Sequence, residues 1–289
     1  MGELWGLLLL GALSSATPLV LAGVGEVFLE RAGGGFNLGI EGTMSVGALA
    51  GVLGAAAAGP GLGLLAGAAA GVGFGALYAV GAALGADILL VGFTLTLLGV
   101  GTTGYLAQII APPGVTNLSV ATLPHLGPVS VATWLAAAAA ATGWWVLHGT
   151  RFGIRLRACG DNPDAAVTHG ISVVRHRTVA GLIAGTSAGL GGAVLALASI
   201  GTFTPGIVGG RGFIALAVVI IARRTPLGVL AGAALFGGFD SLALLAQTHP
   251  MGLPIEAYQV LPYLVTFVLL CHQAQQQLRR TRRVPEETE

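Results

Sequence analysis

Between Asp87 and Arg151 the chain carries no charged side chain. A soluble fold of this length needs a polar exterior, whereas a bilayer lets lipid solvate apolar side chains. The pattern holds beyond that stretch, since 54% of the 289 residues are apolar and only 9% are charged. Inside a bilayer every backbone polar group must be satisfied internally, which leaves helices or a closed barrel. Barrel strands alternate polar and apolar residues, and that alternation is absent. The sequence therefore predicts an all-α fold, a polytopic transmembrane helical bundle.

Apolar runs fall at about 4–24, 43–58, 61–84, 88–111, 129–149, 178–200, 208–222, 226–247 and 258–274. They predict about nine spans, with eight to ten open because the second and seventh runs are shorter than the roughly 20 residues of a straight crossing. Those two are candidates for tilted, broken or re-entrant segments. All 13 basic residues are arginine, and with the loop at 150–177 on the cytoplasmic side, nine crossings place twelve of them inside. Only Arg211 then falls on or near the outer side. Positive-inside bias thus puts the N-terminus outside and the C-terminus in the cytoplasm. The first run resembles a signal peptide, but Glu3 replaces the usual positive charge, which favours a retained helix. Residues 1–278 read as one transmembrane domain and 279–289 as a charged cytoplasmic tail. The outer loop at 112–128 is too short to fold alone.

Gly59, Gly63, Gly67, Gly71 and Gly75 recur every fourth residue, and Gly181, Gly185 and Gly189 repeat the spacing. Such ridges let helix backbones approach closely, and tight packing is preferred to a moving interface as their reading.

The missing lysine excludes chemistry. A Walker A loop needs a lysine on the β- and γ-phosphates, so no ordinary nucleotide-hydrolysing site fits, and Schiff-base catalysis is excluded too. A net charge of +1, with arginines at membrane edges, speaks against nucleic-acid binding. Cys159 and Cys271 lack paired spacing and read as small buried or interfacial residues. Six histidines, His125, His148, His169, His176, His249 and His272, are scattered without ligand spacing. GRGFIA at 210–215 imitates a dinucleotide fingerprint, but it opens an apolar span instead of following a strand.

Seven of the 25 charges sit in TRFGIRLRACGDNPDAAVTHGISVVRHR, residues 150–177. Within it Asn162 suits an N-cap, Pro163 the first helical position, Asp164 the positive helix end and Gly170 the terminus. The capped helix fits a plain topological loop or a docking element presenting Ala165, Ala166, Val167 and Ile171 to a cytoplasmic partner. A second polar stretch, GEVFLERAGGGFNLGIEG at 25–42, has glycines at 33–35 and 39 that break helix near membrane depth. It fits a solvated loop held by Glu30 and Arg31, or a lining of a water-filled path. Asp240 lies inside a predicted span, where a carboxylate costs about 2.5–3.5 kcal/mol to insert, so it needs a partner or a cavity. A structural or gating hydrogen bond is preferred to a substrate contact there.

GEVFLERAGGGFNLGIEGTMSVGA, TRFGIRLRACGDNPDAAVTHGI, AGLGGAVLAL, GRGFIALAVVIIARRTPLG and LFGGFDSLALLAQ together resemble successive signatures of bacterial ABC-importer permeases of the branched-chain amino acid and simple sugar group. Within that group the likeness is greatest to nucleoside-type permeases. The resemblance implies a multi-pass transport subunit of the bacterial cytoplasmic (inner) membrane, surrounded by lipid and without chemistry of its own. Its expected partners are a second permease chain, often a paralogue, an extracytoplasmic substrate-binding lipoprotein, and two ABC ATPase subunits that bind ATP and Mg. No cofactor is expected on this chain.

The resemblance also makes 151–171 the ATPase-coupling segment, with Arg151, Arg155, Arg157, Gly160, Asp161, Asn162, Pro163, Asp164, Ala165, Ala166 and Gly170 as its candidates. Asn37, Glu41, Arg211 and Asp240 become candidates for the translocation path, and Gly210 to Phe213 would open a helix near the dimer centre. Nucleosides or nucleobases lead as substrates, with sugars and branched-chain amino acids behind, and the few charges near the path suit a neutral solute. Two positions depart from the pattern: Cys159 stands where a small apolar residue is usual, and Arg224 where an aromatic is. The rival from another class is an ion-coupled secondary transporter titrating Glu41 and Asp240. A third reading is a structural assembly subunit with no path.

Overall fold

The computed structural model describes residues 2–110 and 118–248, with isolated positions 260, 264, 265, 267, 268, 271 and 275. Ten α-helices carry the described chain: α1 (Gly2–Arg31), α2 (Ile40–Ala58), α3 (Pro60–Ala83), α4 (Ile88–Ile110), α5 (Val131–Gly149), α6 (Arg151–Asp161), α7 (Pro163–Thr168), α8 (Val173–Val194), α9 (Arg211–Ile221) and α10 (Pro226–Thr248). The all-helical expectation holds; the extended structure consists of two-residue pairs, Leu118–Ser119 with Thr202–Phe203 and His125–Leu126 with Val129–Ser130. Among the described residues six helices are long and apolar enough to cross a membrane: α1, α2, α3, α4, α8 with its π-helical extension, and α10. The protein is a multi-pass helical membrane protein. The 19-residue α5 joins them in length, although Trp134, Trp144, Trp145 and His148 dilute its apolar character.

Local chemistry sets the ends. Ser130, Thr150 and Ser172 each accept a hydrogen bond from a backbone N–H in the first turn of the helix that follows. Pro60 and Pro163 occupy first helical positions. Gly59, at φ 88°, turns the chain between α2 and α3 and has open space around it. It belongs to that hairpin and not to the glycine ridge in which its spacing placed it.

The two ridges meet each other. A Cβ on Gly67, Gly71 or Gly75 would collide with α8 near Ala193, Gly185 or Gly181, and one on Gly185 or Gly189 would collide with the carbonyls of Gly71 or Gly67. The two backbones therefore run in direct contact. The pairings also show that α3 and α8 are antiparallel. On its other side α8 runs antiparallel to α1, with Gly25 against Ala184 and Gly191 against Pro18. Gly237 of α10 packs on Ala12 and Ala16, and Ser241 Oγ donates to Leu8 O at 2.9 Å. Away from these contacts Leu65, Leu77, Leu90, Phe93 and Leu97 on α3 and α4 are exposed, as lipid-facing side chains are.

These contacts gather Arg31, Gly160, Arg177, Arg223 and Arg224 at one end of the bundle, while the pair 118–119 with 202–203 closes the other. The two short runs differ. The run at 43–58 is an unbroken 19-residue helix once its start is set at Ile40. The run at 208–222 is broken: Gly201, Gly206, Gly209 and Gly210 all take positive φ, and α9 has only 11 residues. At 1.5 Å per residue that is about 16 Å, half of a roughly 30 Å hydrocarbon layer. Arg211 is thus separated from the arginine-rich end by about half a span. The ninth apolar run, apart from isolated positions, and the 279–289 tail lie outside the described residues, as do His249, His272 and residues 112–117 of the outer loop.

Candidate functional site

At mid-depth two broken segments face each other. The turn at 32–39 brings Asn37 back beside the last turns of α1, where its N–H donates to Glu26 Oε1 at 2.9 Å. Its own Oδ1 accepts from Gly39 N at 2.9 Å, which sets the entry into α2. Thr96 Oγ1 of α4 donates to Leu38 O at 2.6 Å and pins the turn from the other side. One residue into α2, Glu41 spends both carboxylate oxygens on α9: Gly210 N–H donates to Oε1 and Gly212 N–H to Oε2, each at 2.8 Å. The unpaired donors of a helix N-terminus attract an anion, and here the chain supplies it. Gly212 has to be glycine, because a Cβ would lie 2.6 Å from Glu41 Cα.

Of the four expected path residues, Asn37 and Glu41 are therefore buried, and both carboxylate oxygens of Glu41 are engaged. Arg211 and Asp240 sit together, with Nη2 to Oδ2 at 3.6 Å and side chains 34% and 30% exposed. Asp240 thus has the partner that an intramembrane carboxylate requires. Among the described residues no group of His, Cys, Asp and Glu is placed to hold a metal ion.

The arginine-rich end is a second constellation. Residues 151–168 form two short helices, where the sequence suggested one. Asn162 closes α6 and caps α7, its Oδ1 accepting from Ala165 N at 3.0 Å. Gly170, at φ 73°, ends α7 with N–H bonds from Gly170 to Val167 O and from Ile171 to Ala166 O. Helix α6 is anchored by buried Leu156 and Cys159 and by Phe152 stacked on His176 at 5.7 Å. Burial pushes the Cys159 thiol up, partly offset by Arg177, so this departure from a small apolar residue is an inert packing atom. In α7 only Ala166 turns inward. The outward face is Asp164, Ala165 and Val167, which removes Ala166 from the docking face anticipated from the sequence.

The same end holds a strained turn. Arg223 and Arg224, between α9 and α10, adopt φ of 52° and 57°. Left-handed backbone costs a non-glycine residue roughly 1–2 kcal/mol. Neighbours at the end of α1 hold it: Arg31 Nε donates to Arg224 O at 2.9 Å and Nη2 to Arg223 O at 3.3 Å, while buried Glu30 Oε2 lies 2.9 Å from Arg224 Nε. Gly160 of α6 packs directly on Arg31 O and Gly33, and Arg177 Nε donates to Ala32 O at 3.2 Å.

The family profile described as the permease component of branched-chain amino acid transport systems matches residues 8–270. The chain belongs to this permease family. Its relatives include the "Nucleoside ABC transporter permease protein NupC" of Lactococcus lactis, 35% identical over 88% of each chain. The "Guanosine ABC transporter permease protein NupQ" of Bacillus subtilis is 33% identical, also over 88% of each. The "Putative glucose ABC transporter permease protein TsgC13" of Haloferax volcanii is 37% identical over 86% of this chain and 80% of its own. No solved structure matches. The ABC-importer permease resemblance seen in the five sequence segments is thereby borne out.

Sequence reasoning missed several contacts that shape the permease. It singled out Glu30 and Arg31 as a pair holding their own loop, whereas both reach across to Arg223 and Arg224. It saw Gly160 as part of a coupling loop without its contact on Arg31. Tyr78, whose hydroxyl donates to Gly34 O at 2.9 Å, carried no signal at all. The one available hint was general: a buried polar group needs a partner.

Proposed function

We propose that this permease is one of two membrane subunits of an ATP-driven importer for nucleosides or nucleobases. The reading is carried by the 33–35% identity, over 88% of each chain, to relatives named for nucleoside and guanosine transport. A sugar is the second reading, supported by the relative named for glucose. The α9 N-terminus favours an uncharged solute, because Glu41 already occupies the position an anion would take. In this reading the chain makes nine crossings of the bacterial cytoplasmic membrane, with the N-terminus outside and the arginine-rich end inside. A paralogous permease completes the path, a lipoprotein delivers substrate, and two ATPase subunits hold ATP and Mg below. The chain itself contributes no ATPase site, consistent with its lack of lysine.

The test is uptake into proteoliposomes containing the permease pair, the ATPase and the binding lipoprotein, supplied with ATP and labelled guanosine, adenosine or glucose. Guanosine or adenosine should accumulate only with ATP present. Accumulation of glucose alone would move the substrate to the sugar class, and uptake by the lone chain under an ion gradient would sink the ATP-driven reading.

Residues 151–171 are proposed as the ATPase-docking segment, with α7 as its tip. A six-residue helix does not persist in water on its own, so its caps decide whether it is rigid. Asn162→Ala combined with Pro163→Gly removes the N-cap and the preset first residue, about 2 kcal/mol together. Membrane insertion should be unchanged, while ATPase retained on the purified permease falls roughly tenfold. Full retention of ATPase would remove α7 from the interface.

A further inference from the structure

The described residues contain two consecutive non-glycine residues in left-handed backbone, Arg223 and Arg224, and both are gripped by the last two residues of α1. We propose that Arg31 is a positioning residue for transport: it passes displacement of the coupling segment to the half-helix α9. The proposal rests on the ATP-driven reading above and goes further by naming the internal link.

Four observations carry it. First, Arg31 is shared between α6 and the turn that joins α9 to α10. Its carbonyl and the Gly33 amide form the floor on which Gly160 of α6 sits, with no room for a Cβ, so α6 cannot shift toward this point without pushing α1's end. Second, its guanidinium fork spans both carbonyls of the α9–α10 turn, at 2.9 and 3.3 Å, which ties that turn to α1 in position and orientation. Third, the turn is not a passive hinge. Arg223 and Arg224 N–H close the end of α9 on Ile220 O and Val219 O, each at 3.1 Å, and Thr225 Oγ1 then accepts from Gly228 N at 3.2 Å to start α10. Moving the turn therefore moves both helices. Fourth, α9 is a short rod whose other end is held by Glu41 through Gly210 and Gly212, at the mid-depth site beside Arg211 and Asp240.

The order of contacts is α6, Arg31, the 223–224 turn, α9, and then the Glu41 junction with α2. Glu30 has a separate part in it. Buried beside Arg224 at 2.9 Å, it holds the arginine side chain so that the turn carbonyls face Arg31. This assigns a use to the arginine at 224, where the sequence departs from the pattern it resembles.

The experiment is the number of nucleosides transported per ATP hydrolysed in the fully reconstituted importer. Arg31→Gln shortens the side chain and removes both the charge and the fork, and the ratio should fall at least tenfold while the ATPase remains bound. Arg31→Lys, which can reach one carbonyl, should recover part of it and leave a fall of about threefold. Adding Arg223→Gly to Arg31→Gln relaxes the strained backbone without restoring the link, so the ratio should stay low. A wild-type ratio in Arg31→Gln overturns the proposal, and so does full recovery on adding Arg223→Gly, which would make Arg31 a mere holder of the turn's shape. If the glutamine variant does not assemble, the lysine variant decides, and an unchanged ratio there overturns it. A wild-type complex that shows no ATP-driven uptake would instead defeat the transport reading and leave the Arg31 contacts as they are.

Discussion

Gly185→Leu is expected to abolish accumulation of folded permease in the membrane. The argument lies in what the new side chain would meet. A Cβ at position 185 would run into the Gly71 carbonyl and lie 2.7 Å from Gly75 Cα. Both are backbone atoms on α3, so no rotamer change can relieve the contact and the two helices have to part. Overpacking against movable side chains already costs about 1–3 kcal/mol. Here the separation also strips the neighbouring contacts of Gly67, Gly71, Gly181 and Gly189, which depend on the same close approach. Gly73, on the same helix α3, is the control: nothing lies within 4 Å of its Cβ position. Gly73→Ala should match or exceed wild type, because alanine gains up to about 1 kcal/mol over glycine inside a helix. Thermal stability in detergent and membrane abundance read both variants. Equal behaviour of the two would show that α3 and α8 are not in direct backbone contact.

That pairing marks how far the sequence could be read. The ridges were visible because membrane helices pack through small residues at four-residue spacing, a local and periodic signal. Which ridge met which was not visible, because any small-residue stripe suits any other. Gly59 shows the complementary error: it continued the spacing, yet its positive φ and open surroundings make it a turn residue. Spacing alone cannot separate the two uses.

The polar residues divide in the same way. Asn162, Pro163 and Gly170 were legible because capping is settled within a few residues of sequence, and the structure places Asn162 Oδ1 on Ala165 N as expected. Glu41 and Arg31 were legible only as residues in need of partners. Their partners lie at Gly210, Gly212, Arg223 and Arg224, more than 160 positions away in the chain. From the sequence Glu41 was therefore a candidate for the path with no partner named, and Arg31 a residue of a loop or a path lining with no contact assigned across the bundle. The half-length of α9 lay between: the shortness of the 208–222 run left a tilted, broken or re-entrant segment open, but which of these it is follows from the positive φ of the four glycines before α9 and from the Glu41 contact.

Glu41→Gln is expected to reduce nucleoside uptake more than tenfold while the permease still inserts and still holds its ATPase. The carboxylate accepts two hydrogen bonds at once, from Gly210 and Gly212, at the positive end of α9. A glutamine keeps one acceptor oxygen and turns an NH2 donor toward the second N–H. One buried donor is then left unsatisfied, about 1–3 kcal/mol, and the favourable charge at the helix end is lost as well. A shift of about 2 kcal/mol changes the population of the docked α9 terminus by more than a factor of ten. The residues around it cannot compensate: Gly210 and Gly212 have no side chains, and Arg211 is turned to Asp240 at 3.6 Å. Amide exchange over 206–214 should accelerate in the variant while exchange along the direct backbone contact of α3 and α8 stays slow. Wild-type uptake with unchanged exchange would mean that α9 keeps its place without Glu41, and that the two-helix junction at mid-depth is not what positions the path.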